Sequence, residues 1–407
     1  MCVCVYVCVC VCVCLCLCVF EIYYSHDGLW PIREKELQPR GLAVGEAKAT
    51  AVASSSESAS GGTPSQNSKK KSKKKAKATA AANTTQSSVD RGYHVLPAMP
   101  TPTQIANIKK RRKWIKLEVQ QHGEHARLAT YSDKLVAVWY DGVDVTKMME
   151  TSDLQTWHSI DLPSEYSELS APSLASHGGM LYMHCQTLPK STNTWVNSIL
   201  QYCDTPDNGD GSRGGGQWSK LTNVPSHCIH AWCTLHVGAD AISLHGGRRY
   251  GTDHNHVSTY SLASKQWSSS SSSNTSLVLP SLPLPCSEAS LVPFPDSLYL
   301  VGGITGCFFK HHDGRWVSTT PPDGVELKFS AACALSDHCM VICPSTASAG
   351  CVVYDISSGQ VYPLPAMPEH RYLTHYTPSL TLFGSTLVLS VGGPDSPGSL
   401  YTLDMSV

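Results

Sequence analysis

Apolar positions along this chain come in short runs that end on small or turn-forming residues, with no long helical stripe between them. Six such runs recur, at 134–140 (KLVAVWY), 180–185 (MLYMHC), 241–245 (AISLH), 297–301 (SLYLV), 339–343 (CMVIC) and 386–391 (TLVLSV). Short apolar runs of five to seven residues that reach a small or turn-forming element predict strands. Behind each comes a further short strand carrying Tyr or Phe, as in 257–267 (VSTYSLASKQW) and 351–362 (CVVYDISSGQVY).

The repeat has a measurable period. Trp114, Trp157, Trp218, Trp267 and Trp316 are 43, 61, 49 and 49 residues apart, and Tyr362 takes the equivalent slot 46 residues later. The long interval contains the Gly- and Asp-rich stretch 207–216 (DNGDGSRGGG), which reads as a loop insertion. A period near 50 residues is the signature of units that stack to bury what each leaves exposed. Three units carry a glycine doublet after the apolar run: Gly246-Gly247, Gly302-Gly303 and Gly392-Gly393. The order of apolar strand, Gly-Gly, Tyr, then Trp resembles the kelch repeat, and the resemblance implies a β-propeller.

Four short strands per unit cannot bury both faces of a sheet alone, so the physical expectation is also a ring of radially packed, twisted sheets. The tryptophans then act as wedges between blades, each worth roughly 4–6 kcal/mol gross for about 150–250 Å² of buried surface. The last unit has its doublet and a third strand at 399–404 but no Trp, whereas Trp114 in 113–119 precedes the first complete unit. This predicts that 113–119 pairs with 399–404, so both ends share one blade and leave no long open edge. Residues 114–407 divide into six blades of 49 residues. The expected fold is therefore all-β: a six-bladed kelch-type propeller closed by an N-terminal strand, at 109–407, behind a disordered N-terminal extension.

Charge separates the two parts. Residues 1–113 hold 17 Lys and Arg against 7 Asp and Glu, whereas 114–407 hold 14 against 25. Residues 1–20 alternate Cys with Val or Leu, a low-complexity pattern that suits neither an amphipathic strand nor a good helix. It is what a translated TG dinucleotide repeat would encode ahead of the true start; a membrane anchor and a metal-binding or disulfide tract are the alternatives. Residues 21–108 are poor in apolar side chains and predict a disordered basic linker. Within it 69–77 (KKKSKKKAK), from Lys69 through Lys77, offers a nuclear localisation signal or a contact for nucleic acid or anionic membrane, against the plain reading of a solvated linker. A second cluster, 109–113 (KKRRK), stands beside the closing strand as an edge guard.

Of 18 cysteines, 8 fall in 1–20 and 10 are scattered from Cys185 to Cys351 without a CxxC pair. That spacing supplies no disulfide framework and favours a reducing cytoplasmic or nuclear setting. Neither His254-x-His256 nor His311-His312 makes a metal site, since two ligands are too few. No phosphate loop, nucleophile elbow or zincin motif is present, so no cofactor and no catalytic residue is assigned. Copper radical oxidases also carry kelch repeats, but their Tyr, Cys and His set has no counterpart assigned here. The expected function is a monomeric, non-enzymatic scaffold or adaptor for protein–protein interaction. A recognition subunit serving a separate ubiquitin ligase is the alternative that the resemblance implies. By the same resemblance the binding loops follow the doublet and lead into the next blade, which points to Arg248, Arg249 and Tyr250, and to Arg371 and Tyr372, as partner-binding residues. Arginine and tyrosine suit such a face through bidentate carboxylate binding and amphipathic rings.

Overall fold

The computed structural model describes residues 100–119, 123–141, 144–203, 216–228, 231–249, 251–269, 280–346, 350–367, 377–393 and 396–406. Residues 1–20 and the run from Lys69 to Lys77 lie outside them. A helix α1 (Pro102–Arg111) and a short strand β1 (Ile115–Lys116) come first. Blade 1 is β2 (His125–Tyr131), β3 (Lys134–Tyr140), β4 (Val145–Thr151) and β5 (His158–Ile160). Blade 2 is β6 (Tyr166–His177), β7 (Met180–Pro189), β8 (Val196–Cys203) and β9 (Gln217–Asn223). Blade 3 is β10 (Thr234–Val237), β11 (Ala241–His245), β14 (Val257–Ser261) and β15 (Gln266–Ser269), with a hairpin of β12 (Arg248–Arg249) and β13 (Thr252–Asp253) inserted after β11. Blade 4 is β16 (Ala289–Phe294), β17 (Ser297–Gly302), β18 (Cys307–His312) and β19 (Arg315–Ser318). Blade 5 is β20 (Ala331–Ser336), β21 (Cys339–Cys343), β22 (Val352–Asp355) and β23 (Val361–Pro363). Blade 6 is β24 (Ser379–Phe383), β25 (Thr386–Gly393) and β26 (Ser396–Asp404), with β1 as its fourth strand.

The first strands of the six blades touch in sequence around a ring, β24 meeting β2 to close it. The protein is a six-bladed β-propeller. Closure follows the predicted route, although the paired segment is shorter than 113–119. Ile115 pairs with Thr402 and Lys116 with Tyr401, and the Leu117 N–H donates to Leu400 O at 2.9 Å.

Why the second strand of each blade is apolar on both faces is visible in the core. Six hydrophobic clusters fill the six gaps between adjacent blades. On β21, Met340 and Ile342 pack toward blade 4, while Cys339, Val341 and Cys343 pack toward blade 6. On β3, Val136 and Val138 face blade 2, and Leu135, Ala137 and Trp139 face blade 6. Alternate side chains leave opposite faces of a strand, so a strand between two neighbours has no polar side.

The aromatic repeat is a cross-strand pair. Tyr202 on β8 lies opposite Trp218 on β9 with ring centroids 5.1 Å apart, and Tyr260 on β14 lies opposite Trp267 on β15 at 5.3 Å. In blade 4 His311 replaces the tyrosine against Trp316, at 5.1 Å. Trp114, Trp218 and Trp316 are buried in the gaps between blades 5 and 6, 1 and 2, and 3 and 4; Trp157 and Trp267 are half-buried in the gaps between blades 6 and 1 and blades 2 and 3, and Tyr362 is half-buried against the cluster between blades 5 and 6. Trp267 Nε1 donates to Thr222 Oγ1 of blade 2 at 3.2 Å, and Trp114 Nε1 to Pro365 O at 3.3 Å, which links the indoles to the preceding blade.

The glycine doublets sit where one blade meets the entry to the next. Gly302 has φ +85°, and a methyl group there would overlap the Ser330 carbonyl just before β20. At Gly392 it would overlap the Glu124 carbonyl before β2. At Gly302 only glycine combines that backbone with that approach, and at Gly392 the close approach alone excludes a side chain. Blade 2 lacks the doublet because β7 and β8 run on as a ladder to Thr187 and Val196, past the point where the others turn.

One expectation changes. The stretch 21–108, whose composition predicts disorder, contains the start of α1. Thr101 and Gln104 form a capping box, Pro102 occupies the first turn, and Ile105 and Ile108 are buried in the cluster between blades 5 and 6. Two apolar side chains on one helix face suffice here because the ring supplies the surface they cover. Of the basic cluster, Arg112 pairs with Asp404 at 2.9 Å and fastens the chain end, but both side chains are about 40% exposed (43% and 41%) and the pair adds little stability.

Candidate functional site: the mouth of the central channel

In this topology the loops between second and third strands open on the same face as the linkers between blades. The start of each first strand points to that face, and together these strands line a cavity of about 140 Å³ on the propeller axis. Every blade contributes: Arg127, Ser173, Thr234, Ser290, Ala332 and Ser379. First strands carry unpaired backbone groups on their inner edge, and hydroxyls satisfy part of that demand. Ser173 Oγ accepts from Leu235 N–H at 3.0 Å, Ser290 Oγ from Ala332 N–H at 3.0 Å, and Ser379 Oγ from Leu128 N–H at 2.9 Å. Blades 2, 4 and 6 thus each tie the next blade to the ring, while Thr234 Oγ1 donates to Ala289 O at 2.6 Å.

One ion pair spans the channel. Arg127 on β2 meets Glu288, just before β16, at 3.2 Å, and the two side chains are 15% and 9% exposed. Blades 1 and 4 stand opposite each other in a ring of six, so this pair is a strut across the axis. Burial opposes the Arg127 charge, but Tyr140 and Glu288 outweigh it and raise its pKa. The guanidinium carbon lies 5.8 Å from the Tyr140 ring centre, and Tyr140 in turn contacts Trp232 at 6.0 Å. Glu288 and Trp232 both adopt left-handed backbone, φ 56° and 58°, and the Glu288 N–H donates to Trp232 O at 2.9 Å. His125, beside Tyr140 at 5.3 Å, is held neutral, its pKa lowered to about 3 by burial and by Arg127.

Removing one partner of such a buried pair strands the other. Glu288→Ala is expected to cost about 3–5 kcal/mol in denaturant unfolding, whereas Arg127→Met with Glu288→Leu is near neutral. A cost below about 1 kcal/mol for Glu288→Ala would mean that water already screens the pair.

Of the sequence-predicted partner residues, Arg248 and Arg249 form β12, half-buried beside the mouth. Arg248 exchanges backbone hydrogen bonds with Ala231 at 2.7 and 2.9 Å, next to Trp232, and its Nη2 donates to Gly251 O at 2.8 Å. Ser287 Oγ donates to Asp253 Oδ1 at 2.8 Å, which fixes the hairpin to the entry of blade 4. Tyr250, Arg371 and Tyr372 lie outside the described residues. Sequence reasoning missed Arg127, Glu288, Tyr140 and Trp232; the only signal was a lone arginine in the apolar HARLATY segment.

Among the described residues one metal-competent group occurs: ligand atoms of His338, Cys339 and Asp355 lie within 4.8 Å of one another. Asp355 and Cys339 have other roles. Asp355 accepts from the N–H and hydroxyl groups of Ser357 and Ser358 in the turn after β22, and Cys339 packs in the gap between blades 5 and 6. His254 and His256 stack at 5.7 Å without a third ligand in that group. No helix among the described residues is long and apolar enough to cross a membrane. No family model matches this chain, and no curated protein matches it either.

Proposed function

We propose that this propeller is of the kelch type and works as a non-enzymatic binding module that takes a peptide segment of a protein partner at the channel mouth. What carries the reading is the juxtaposition, on one face, of the Arg248–Arg249 hairpin with Trp232 and the strutted channel. Arginine and aromatic side chains around a rigid concavity are the composition that protein recognition favours, and a basic rim suits an acidic segment. The ring is rigid because six packed gaps and a shared blade hold it, so binding requires little reorganisation of the ring itself.

The test is a pull-down with the full chain, comparing wild type with Arg248→Glu/Arg249→Glu. Partners captured by wild type are expected to fall about tenfold or more with an unchanged circular dichroism spectrum. An unchanged set of partners sinks the assignment of this face.

A further inference from the structure

Cys343 ends β21, and Cys351 immediately precedes β22. The last pair of that ladder is Ile342 with Val352, so the two cysteines occupy the next rung, directly opposite each other. Opposed residues in an antiparallel pair have Cα atoms about 4.5–5.5 Å apart, inside the range of about 4.4–6.8 Å that a disulfide requires. Their sulfurs are 2.8 Å apart, and the Met367 thioether covers them at 3.8 and 3.4 Å. The thiols of Cys286 and Cys307 are also hydrogen-bonded, but Cys286 lies outside the strands and Cys307 opposes Gly302, so they form no cross-strand rung; Cys339 and Cys333 are on the same sheet as the pair but oppose Asp355 and Val341.

We propose that Cys343 and Cys351 are an oxidation site, a dithiol that a small-molecule disulfide such as glutathione disulfide converts to a cross-strand disulfide. One thiolate attacks the small disulfide, forming a mixed disulfide and releasing one small thiol. The second cysteine, losing its proton, then attacks the protein sulfur of that mixed disulfide and expels the second small thiol. Two protein thiols and one small disulfide thus give one protein disulfide and two small thiols, with two electrons passing to the oxidant. Strand pairing holds the second sulfur against the first, so the intramolecular step is favoured over the release of the mixed disulfide.

The product would tie the end of β21 to the residue before β22, at the channel-mouth end of blade 5. Burial sets the rate. Both cysteines are 1% exposed, and burial followed by the Cys343 contact pushes the Cys351 thiol well above its ordinary pKa. Exchange is therefore slow in the folded protein, and the pair responds to sustained redox poise rather than to a brief pulse. Two of the other buried cysteines, Cys185 and Cys233, have no opposed sulfur and serve as internal comparators.

The full chain is equilibrated in glutathione buffers of increasing oxidised fraction, approached from both the reduced and the oxidised side, then alkylated under denaturing conditions and mapped by mass spectrometry. The expected result is a Cys343–Cys351 cross-link at ratios where Cys185 and Cys233 are still alkylated as free thiols. Cys351→Ser is expected to abolish the cross-link and return Cys343 to the alkylated fraction. Alkylation of both cysteines at every ratio from both directions would overturn the proposal. So would a pair blocked against alkylation without the mass change of a disulfide, which would instead indicate a soft metal ion held with Met367.

Discussion

A chain that begins at residue 118 is expected to melt about 10 °C or more below the full-length protein, whereas one that begins at residue 100 melts with it. The described contacts between the N-terminal part and the ring start at α1. Losing Trp114, which is 7% exposed in the gap between blades 5 and 6, costs on the order of 3–5 kcal/mol. Ile105 and Ile108, at 1% and 2% exposure, add roughly 1.5–3 kcal/mol each. At about 2 °C per kcal/mol for a domain of this size, the sum gives the stated shift. The same truncation leaves β26 as an open edge, so aggregation should accompany the loss. Arg112→Ala, which breaks only the exposed pair with Asp404, is expected to move the melting temperature by a degree or two. Equal melting temperatures for the two truncated chains would refute the shared blade as a stabilising device.

Acid is expected to unfold the ring before most carboxylates titrate. His184 is fully buried with its Nδ1 3.2 Å from Cys233 Sγ, and burial lowers its pKa to about 4. His245 is fully buried between Ser243 Oγ, at 2.8 Å, and the edge of Trp316, and burial together with His236 and His311 holds it well below the ordinary value. His125 is lowered to about 3. Each is neutral in the folded protein while its unfolded counterpart binds a proton below about pH 6.5. The unfolded state therefore holds more protons from about pH 6.5 down to about 4, stability rises with pH across that window, and it is lost as pH falls through it. For His184 the shift corresponds to about 3 kcal/mol at the lower end. Together with the larger shift at His125 this approaches the whole stability of a typical domain, and His245 acts in the same direction. An acid unfolding midpoint between about pH 4 and 6 is expected, and His184→Gln with His245→Gln should flatten the dependence in that window. Stability that stays level down to about pH 4.5, or a slope that the two substitutions leave unchanged, would show that these side chains reach solvent.

How far the architecture could be read from the chain follows from which interactions are periodic. The Trp and Tyr spacing and the six apolar runs encode the blades, because every second strand sits between two neighbours and must be apolar on both faces. The predicted runs 134–140, 241–245 and 339–343 coincide with β3, β11 and β21. The missing Trp of the last unit and the unpaired Trp114 encode the closure, since an unfilled slot and an orphan indole answer each other. The start of α1 is also written locally, in Thr101, Pro102 and Gln104 ahead of Ile105 and Ile108, where the low apolar content of 21–108 as a whole masks two buried isoleucines.

The candidate site is a different matter. Arg127 and Glu288 are 161 residues apart and belong to units that the repeat makes alike. A linear pattern states which residues occupy equivalent slots, but not which slots face each other; that depends on the number of blades and on ring closure, and six places blade 1 opposite blade 4. The Cys343 and Cys351 rung similarly depends on hairpin register, where a slip of one residue would turn the sulfurs to opposite faces. Local propensity and burial therefore wrote the strands and the period into the chain, whereas the strut, the channel and the thiol pair came into being only once the ring had closed.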